Sequence, residues 1–399
     1  MNWLLYMNNK FSNQVILSYF FCFSYILSVF ILNISNSQFV VSIDNYSNYI
    51  GNIKSVIYLF SLAIFILFYR VNKFSILDFV LISLYVISYY YHRMSIVFLV
   101  YFIFIKNVKF EYIIKSYLFA VLLGFLFVFF TYVFDLYSES FVNMYRPDGT
   151  YRNPLGYKFA TYLPNMSLYI YLCWFFIKGK KFNIGDMLII TILNSVIYYY
   201  TDTRTVFYLV NLFLLCCFFI KYGKVNYKTS VIGKLAAFST QYLFIILAAI
   251  SIYLQCVYDP NIEWMDNLNK ALSGRLYYGN KGFVEYGISL LGQKVEYADV
   301  LDYGENLFVI DSGFMKVLID YGLVLFIIIS YGYWIISKKI IRRNNIYFGL
   351  VLVFSLLDVL INPHLLVLDS NPFFFFLAYY GINKDENLFS IKNHENSLS

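Results

Sequence analysis

Charged residues are scarce in this chain: Asp, Glu, Lys and Arg make up only 13% of its 399 residues, against about 25% in an ordinary soluble domain. Its 6 prolines and 19 glycines are too few for a collagenous chain or a Pro/Gly-rich disordered one. The five cysteines show no metal-site spacing and no obvious disulfide pair in a loop. The sequence also lacks a Walker-type loop, a GxGxxG opening a helix and an HExxH motif. These absences disfavour an ATP-driven pump or a metalloenzyme, and we expect neither a metal nor a cofactor.

Long hydrophobic stretches dominate the sequence. Hydrophobic residues form 60% of the chain, in repeated stretches of about 20 residues, the length that crosses a hydrocarbon core of about 30 Å. Most stretches are apolar all round, unlike the amphipathic helices of soluble proteins. They predict an all-α, polytopic integral membrane protein with about 12 transmembrane helices, forming one transmembrane domain over residues 1–383 before a polar tail over 384–399. The predicted spans are 15–33, 54–70, 75–91, 95–106, 116–135, 158–177, 185–200, 204–221, 236–256, 312–336, 345–362 and 372–383.

Lysine-rich connections set the predicted orientation. Basic clusters follow every second span, as Lys178, Lys180 and Lys181 do after the sixth. Because short cytoplasmic loops carry an excess of Lys and Arg, these connections and both termini are predicted to face the cytoplasm. The net charge of +7 is then a topology signal, and we do not expect a nucleic-acid partner. The largest connection, 257–311, is predicted to be an extracytoplasmic loop between the ninth and tenth spans, with an amphipathic helix over 267–285.

Arginine departs from this pattern. Five of the eight arginines fall in connections that are predicted to lie outside the cytoplasm: Arg93, Arg146, Arg152, Arg204 and Arg275. A guanidinium group is permanently charged and holds phosphate or carboxylate through two parallel hydrogen bonds. Ligand binding is one explanation for the external arginines, and chance placement with snorkelling at the membrane interface is the other.

Two of these arginines flank a turn sequence. Residues 146–154 read Arg-Pro-Asp-Gly-Thr-Tyr-Arg-Asn-Pro, and the Asp-Gly and Asn-Pro pairs by themselves indicate only turns. The addition of Arg146 and Arg152, with Asn153 beside them, favours anion binding at the mouth of an apolar helix bundle.

Two more arginines stand alone in their motifs. Arg204 follows Thr203 at the start of a predicted apolar helix, where Asp202 would be its structural partner. A phosphate held at that helix N-terminus is the functional alternative. Arg275 follows a Ser-Gly pair in the largest loop, which is a weak signal without the other arginines.

Acceptor-bearing residues precede the tenth predicted span. Glu305 and Asn306 lie there, with Asp302 and Asp311 nearby. A carboxylate at this position could act as a general base toward a sugar hydroxyl, or it could be a solvated loop charge. His364 is a further candidate because histidine titrates near neutral pH, although a lone loop histidine is usually a surface residue.

Taken in order, these motifs resemble the O-antigen and capsular-polysaccharide polymerases (Wzy type) of the O-antigen ligase/polymerase superfamily. Ligases of that superfamily carry a histidine before the outer-loop asparagine, where this chain has Glu305, so a ligase is less favoured and Glu305 as base is our own assignment. The resemblance covers residues 116–336 in motifs. The matching segments are 146–154, Thr203-Arg204, Leu272 to Arg275 followed by Leu291-Gly292, and Glu305-Asn306 followed by Gly313 and Tyr321-Gly322.

The resemblance implies a GT-C-like glycosyltransferase of the bacterial cytoplasmic (inner) membrane that works outside the membrane without a metal. Its donor would be a growing glycan on undecaprenyl diphosphate, and its acceptor another lipid-linked repeat unit. The product would be O-antigen, capsule or exopolysaccharide. Arg146, Arg152, Arg204 and Arg275 would converge on the diphosphate, and Arg204 and Arg275 would also stabilise the leaving group.

Two other functions stay open. One is an O-antigen-ligase-type transferase, which would move the glycan to a different carrier. The other is a transporter or flippase for lipid-linked repeat units, which should place ionisable residues near mid-membrane. A chain-length regulator and a flippase are candidate protein partners of a polymerase.

Overall fold

A computed structural model describes residues 10–43, 48–53, 55–56, 83, 101, 105, 108–136, 144–145, 149–223, 225–297 and 308–379. The described chain is mostly helical, with one short antiparallel ribbon. Five of its helices are long and apolar enough to cross a membrane, which confirms the prediction of a helical membrane protein. The predicted spans 54–70, 75–91 and 95–106 lie almost wholly outside the described residues. Internal contacts divide the chain into unit 1 (residues 1–72, 100–224 and 368–399) and unit 2 (residues 73–99 and 225–367).

Six α-helices with named boundaries and a short β-ribbon belong to unit 1, and the described residues 48–53 and 55–56 are also helical. Helix α1 packs along α3, α3 packs on α4, and α4 contacts both α5 and α6. Helix α5 begins at a capping box, in which Asn183 and Asp186 exchange hydrogen bonds between side chain and backbone. The elements are α1 (Lys10–Ile34), α2 (Gln38–Val41), α3 (Phe110–Val133), β1 (Met144–Tyr145), β2 (Tyr151–Arg152), α4 (Tyr162–Lys178), α5 (Ile184–Thr201) and α6 (Arg204–Tyr222).

The last part of unit 1 differs from the prediction. Residues Pro372–Tyr379 form a 3-10 helix of about 16 Å, which is too short to cross a hydrocarbon core of about 30 Å. The described part of the twelfth predicted span is therefore not a membrane-spanning α-helix by itself, and 380–383 lie outside the described residues. Tyrosine hydroxyls hold the preceding turn: Tyr25 donates to the carbonyl of Leu368 (3.4 Å) and Tyr117 to that of Ser370 (3.1 Å).

Unit 2 is built on α7, which packs against α9, α10 and α11. The single amphipathic helix predicted over 267–285 is wrong, because the chain turns at Ser273 and Gly274, whose φ angles are 57° and 86°. Two helices result, and the Asn269 side chain caps the one that begins at Arg275 by accepting hydrogen bonds from two of its backbone N–H groups. The helices are α7 (Val231–Cys256), α8 (Glu263–Ala271), α9 (Arg275–Tyr286), α10 (Gly313–Arg342) and α11 (Ile346–Ile361).

Helix α10 is broken in its first half. Gly322 adopts φ 84° and ψ 170°, a backbone region essentially reserved for glycine. Residues 287–293 pack against this break: the carbonyls of Ser289 and Leu290 accept hydrogen bonds from the N–H groups of Leu323 (3.0 Å) and Val324 (3.1 Å). The prediction treated this span as continuous, since apolar composition does not reveal a break.

Each unit has one end rich in basic residues. In unit 1, Lys221 Nζ donates to the carbonyl of Lys180 (2.7 Å), so the end of α6 meets the turn after α4. In unit 2, the N–H of Tyr227 donates to Asn344 Oδ1 (2.9 Å), which places the start of α7 beside the turn that follows Arg342. The predicted site residues that the structure describes, Arg152 and Arg204 in unit 1 and Arg275 in unit 2, lie at the other end of these helices.

Candidate functional site

Arg152 and Asn153 fasten an irregular loop to the α5–α6 turn. Arg152 donates from Nε to the carbonyl of Thr201 and from Nη2 to Thr203 Oγ1, both at 2.9 Å. The N–H of Asn153 donates to the carbonyl of Tyr200, also at 2.9 Å. These bonds use much of the Arg152 guanidinium within the protein. The described geometry gives Arg152 a positioning role, and its contact with a diphosphate stays a prediction.

Arg204 is the first residue of α6 and presents a side chain that is 51% exposed. Its Nη2 lies 3.6 Å from Asp202 Oδ2, close enough for an ion pair but beyond a hydrogen bond. The Thr203 side chain does not cap α6, so the helix N-terminus and the guanidinium present positive charge together. This end of unit 1 suits an anion.

Three predicted site residues, Arg146, Glu305 and Asn306, lie outside the described residues. For Arg146, the nearest described backbone is β1, where Tyr145 pairs with Tyr151 of β2. The described chain resumes at Phe308 after Glu305 and Asn306. The diphosphate-binding and base assignments of these three residues stay predictions.

Arg275 joins the start of α9 to the end of α11. Its Nε donates to the carbonyl of Ile361 (2.7 Å), its Nη1 donates to the carbonyl of Leu272 (2.8 Å), and Nε lies 3.9 Å from Asp311 Oδ2. Within the described part of the chain, Nη2 makes no hydrogen bond. Arg275 is thus committed mainly to packing two segments together, with one donor group left for a ligand.

Asp311 lies where three positive side chains of unit 2 converge. Burial raises the pKa of Asp311, and the charges of Arg275, His364 when protonated, and Lys316 oppose that rise. One third of the Asp311 side chain (34%) is exposed, but the protein atoms packed around the carboxyl group are enough to raise its pKa. A carboxyl group with a raised pKa and partial access is suited to proton transfer.

His364 is not a lone surface histidine. Its Nδ1 lies 2.9 Å from Oδ2 of Asp358, which is completely buried, and Asn362 Nδ2 donates to the other oxygen of that carboxylate (2.7 Å). A buried carboxylate at Nδ1 fixes the orientation of an imidazole ring, as in acid–base sites. Sequence patterns did not predict this pair, because Asp358 lies inside a predicted span.

Three residues that the sequence reading missed form a compact charged group in unit 2. Lys316 Nζ lies 3.3 Å from Asp320 Oδ2 and 3.5 Å from the centre of the Tyr297 ring. Tyr297 donates its hydroxyl to Asp320 Oδ1 (2.6 Å). Burial raises the pKa of Tyr297 and the neighbouring Asp320 raises it further, so the phenol stays protonated. Lys and Asp four residues apart in an apolar helix were the available signal.

Unit 1 holds a buried carboxylate of its own. Asp369, only 6% exposed, accepts a hydrogen bond from the Tyr162 hydroxyl (2.8 Å), to which Asn36 Nδ2 donates (3.2 Å). This chain of polar groups links α4, the turn after α1 and the segment after α11.

In the part of the chain that the structure describes, no three His, Cys, Asp or Glu side chains are grouped to hold a metal ion.

Exchange of Arg152 for lysine is expected to loosen the loop. Lysine cannot reproduce the two directed hydrogen bonds to Thr201 and Thr203, and leaving buried acceptors unpaired costs about 1–3 kcal/mol. Thermal unfolding of the purified protein in detergent would show this loss as a lower midpoint. Arg342→Lys is the matched control, because Arg342 is exposed. Equal midpoints for the two variants would contradict the positioning role of Arg152.

Comparison of the chain with models of protein families, with characterised proteins and with solved structures finds no match. The function has to be argued from the motifs and from the geometry of each unit.

Proposed function

We propose that this chain is a glycosyltransferase of the bacterial cytoplasmic membrane that polymerises undecaprenyl-diphosphate-linked repeat units into O-antigen, capsular or exopolysaccharide. The observation that carries the proposal is the position of Arg204: it opens a membrane helix at the end of unit 1 that lies opposite the Lys180–Lys221 contact. Positive-inside topology puts that lysine end in the cytoplasm. The Arg204 end then faces outside, where lipid-linked repeat units are joined.

The finer architecture belongs to the same proposal. About 12 spans in a GT-C-like arrangement would place both chain termini in the cytoplasm. Residues 257–311 would form the extracytoplasmic loop between the ninth and tenth spans. In unit 2, the turn after Arg342 would face the cytoplasm and Arg275 would face outside, by the same rule as in unit 1.

The proposed reaction is displacement at an anomeric carbon. The oxygen of the acceptor hydroxyl attacks the anomeric carbon, and the bond between that carbon and the diphosphate oxygen breaks. A carboxylate base takes the proton of the hydroxyl. Arg204 and the α6 N-terminus would stabilise the negative charge on the departing undecaprenyl diphosphate. Glu305 is the base that we assign from its place before Asn306, and Asp311 is a second candidate because its pKa is raised and its side chain is partly exposed.

Arg204→Lys is expected to reduce polymer formation by about 100-fold, because lysine keeps the charge but loses the two-pronged contact with phosphate. The assay uses the full chain in liposomes with lipid-linked oligosaccharide from the native host lacking the gene, and reads the product as a ladder of chain lengths. Arg342→Lys serves as the control, because Arg342 is the last residue of α10 and precedes the turn that would face the cytoplasm. Polymer of normal length and amount from Arg204→Lys would refute the diphosphate assignment, and absence of any ladder from the unmodified chain would refute the polymerase.

A transporter for lipid-linked repeat units is the second candidate, and one observation favours it. Transporters bind substrate at broken membrane helices with ionisable residues nearby, and α10 has both a break at Gly322 and the Lys316–Asp320 pair. The same liposomes distinguish the two functions: a transporter moves a fluorescent lipid-linked unit between leaflets without lengthening it. Transfer of the glycan to a different carrier would instead identify a ligase.

A further inference from the structure

Residues 287–293, which join α9 to the described part of the following loop, expose apolar side chains. Ile288, Leu290 and Leu291 are all exposed, Leu290 at 67%, and Val284 at the end of α9 is 73% exposed. Soluble loops seldom carry such a series of exposed large aliphatic residues. The segment therefore requires an apolar environment.

The backbone of this segment fixes its position along α10. Its carbonyls pair with the N–H groups of Leu323 and Val324, and residues 313 to 323 of a helix cover about 15 Å. Leu323 and Ile327 on α10 are themselves exposed apolar residues of a candidate membrane span. Leu290 thus lies beside the surface with which α10 would meet lipid, well inside the end of the helix.

Several polar backbone groups of the segment, at its two ends and at Ser289 and Leu290, are paired within the protein. Gly292 N–H donates to Ser289 Oγ (2.9 Å), and Gln293 N–H donates to the carbonyl of Asp320 (3.1 Å). The Gln293 amide also donates to the carbonyl of Gly287 (3.1 Å). Irregular backbone needs such pairing at membrane depth, and these bonds supply it where the segment meets α10.

Charged residues follow immediately after residues 287–293. Lys294 and Glu296 form an ion pair (2.9 Å) with both side chains highly exposed, at 69% and 75%. Ion pairs of this kind belong in water or at the polar interface, because charge in hydrocarbon is costly. The change from Leu291 to Lys294 marks where the chain leaves the apolar environment.

We propose that residues 287–293 form a re-entrant element that enters the membrane beside the break in α10, with Ile288, Leu290 and Leu291 in contact with lipid acyl chains. The partner is bilayer hydrocarbon, since the exposed apolar surface continues onto Leu323 and Ile327. The proposal does not depend on the proposed enzymatic activity, and it adds to the fold an element that no hydrophobic span predicts.

Spin labels in the full chain, reconstituted in liposomes, test this placement. The five native cysteines are first replaced by serine or alanine, and single cysteines are then introduced at 290, 291, 294 and 296, with 327 as a lipid-facing reference. Electron paramagnetic resonance measures collision with oxygen, which concentrates in lipid, and with a water-soluble nickel complex. We expect labels at 290 and 291 to match 327 in favouring oxygen, and labels at 294 and 296 to favour nickel.

Two outcomes would overturn the proposal. A nickel preference at both 290 and 291 would place the segment in water. Low collision rates with both reagents at these positions would show that protein, such as a second copy of the chain, covers the apolar side chains. Two label positions are used so that a single poorly folding variant cannot decide the result.

Discussion

Gly322→Ala is expected to destabilise the protein by about 3–5 kcal/mol, combining backbone strain with steric overlap. The φ of 84° and ψ of 170° are unsuited to any residue with a Cβ. An added Cβ would also lie 2.7 Å from the carbonyl oxygen of Leu290 and would overlap Gly292 N. Because both neighbours are backbone atoms, they cannot move aside without separating residues 287–293 from α10. Unfolding of the purified protein in detergent, followed by circular dichroism against temperature, measures the loss.

Gly185→Ala is the matched control for that experiment. Gly185 lies in the first turn of α5, is exposed, and would bring an added Cβ only to the tip of the Asn183 side chain. We expect little change there, since alanine is the better helix former. A Gly322→Ala protein as stable as Gly185→Ala would show that α10 is continuous and that the break is not a property of the fold.

Asp320→Asn is expected to cost about 3 kcal/mol, because it leaves the Lys316 charge without its buried partner. The value lies at the low end for a buried ion pair, since 25% of the Lys316 side chain is exposed. Exchanging Lys316 for methionine in the same protein should restore most of the stability, because the unpaired charge is then gone. Chemical unfolding of the single and double variants in mixed detergent gives the coupling between the two positions.

The Lys270–Asp266 pair provides the comparison for this cycle. It has the same four-residue spacing on a helix of the same unit, but its side chains are 72% and 32% exposed. Asp266→Asn should change stability by less than about 0.5 kcal/mol. Equal losses for Asp320→Asn and Asp266→Asn would show that burial does not strengthen the Lys316–Asp320 interaction, and would remove one argument for a transporter.

The sequence predicted the long helices well and the site only in part. The span predicted over 116–135 is found as Phe110–Val133, and that over 204–221 as Arg204–Tyr222. Continuous apolar stretches fix such elements locally, through the length that a bilayer requires. The placement of Arg204 at a helix start followed from the same local pattern.

Long-range contacts explain most of what the sequence did not reveal. Arg275 donates to the carbonyl of Ile361, which is 86 residues away, and no local pattern records such a bond. The pairing of His364 with Asp358 depends on how the chain turns at the end of α11. Both contacts give a structural partner to a residue that the sequence had already marked as a candidate, and its predicted role stays a prediction.

The glycines of the motifs illustrate a further limit. Gly274, Gly292 and Gly322 all adopt positive φ angles, of 86°, 99° and 84°. The motif comparison included them without a structural reason, and membrane helices contain glycine too often for one residue to predict a break. Their shared geometry shows that these three glycines allow the chain to turn or break where another residue would be strained.

The segment 368–379 has a consequence for biosynthesis. Its backbone carbonyls and the Asp369 carboxylate accept hydrogen bonds from the hydroxyl groups of Tyr25, Tyr117 and Tyr162. Each of these tyrosines precedes its acceptor by more than 200 residues and is therefore translated well before it. Until residues 368–379 have been made, those hydroxyls are hydrated or paired with other groups. Helices α1, α3 and α4 therefore complete these contacts only after residues 225–367 of unit 2 have been made.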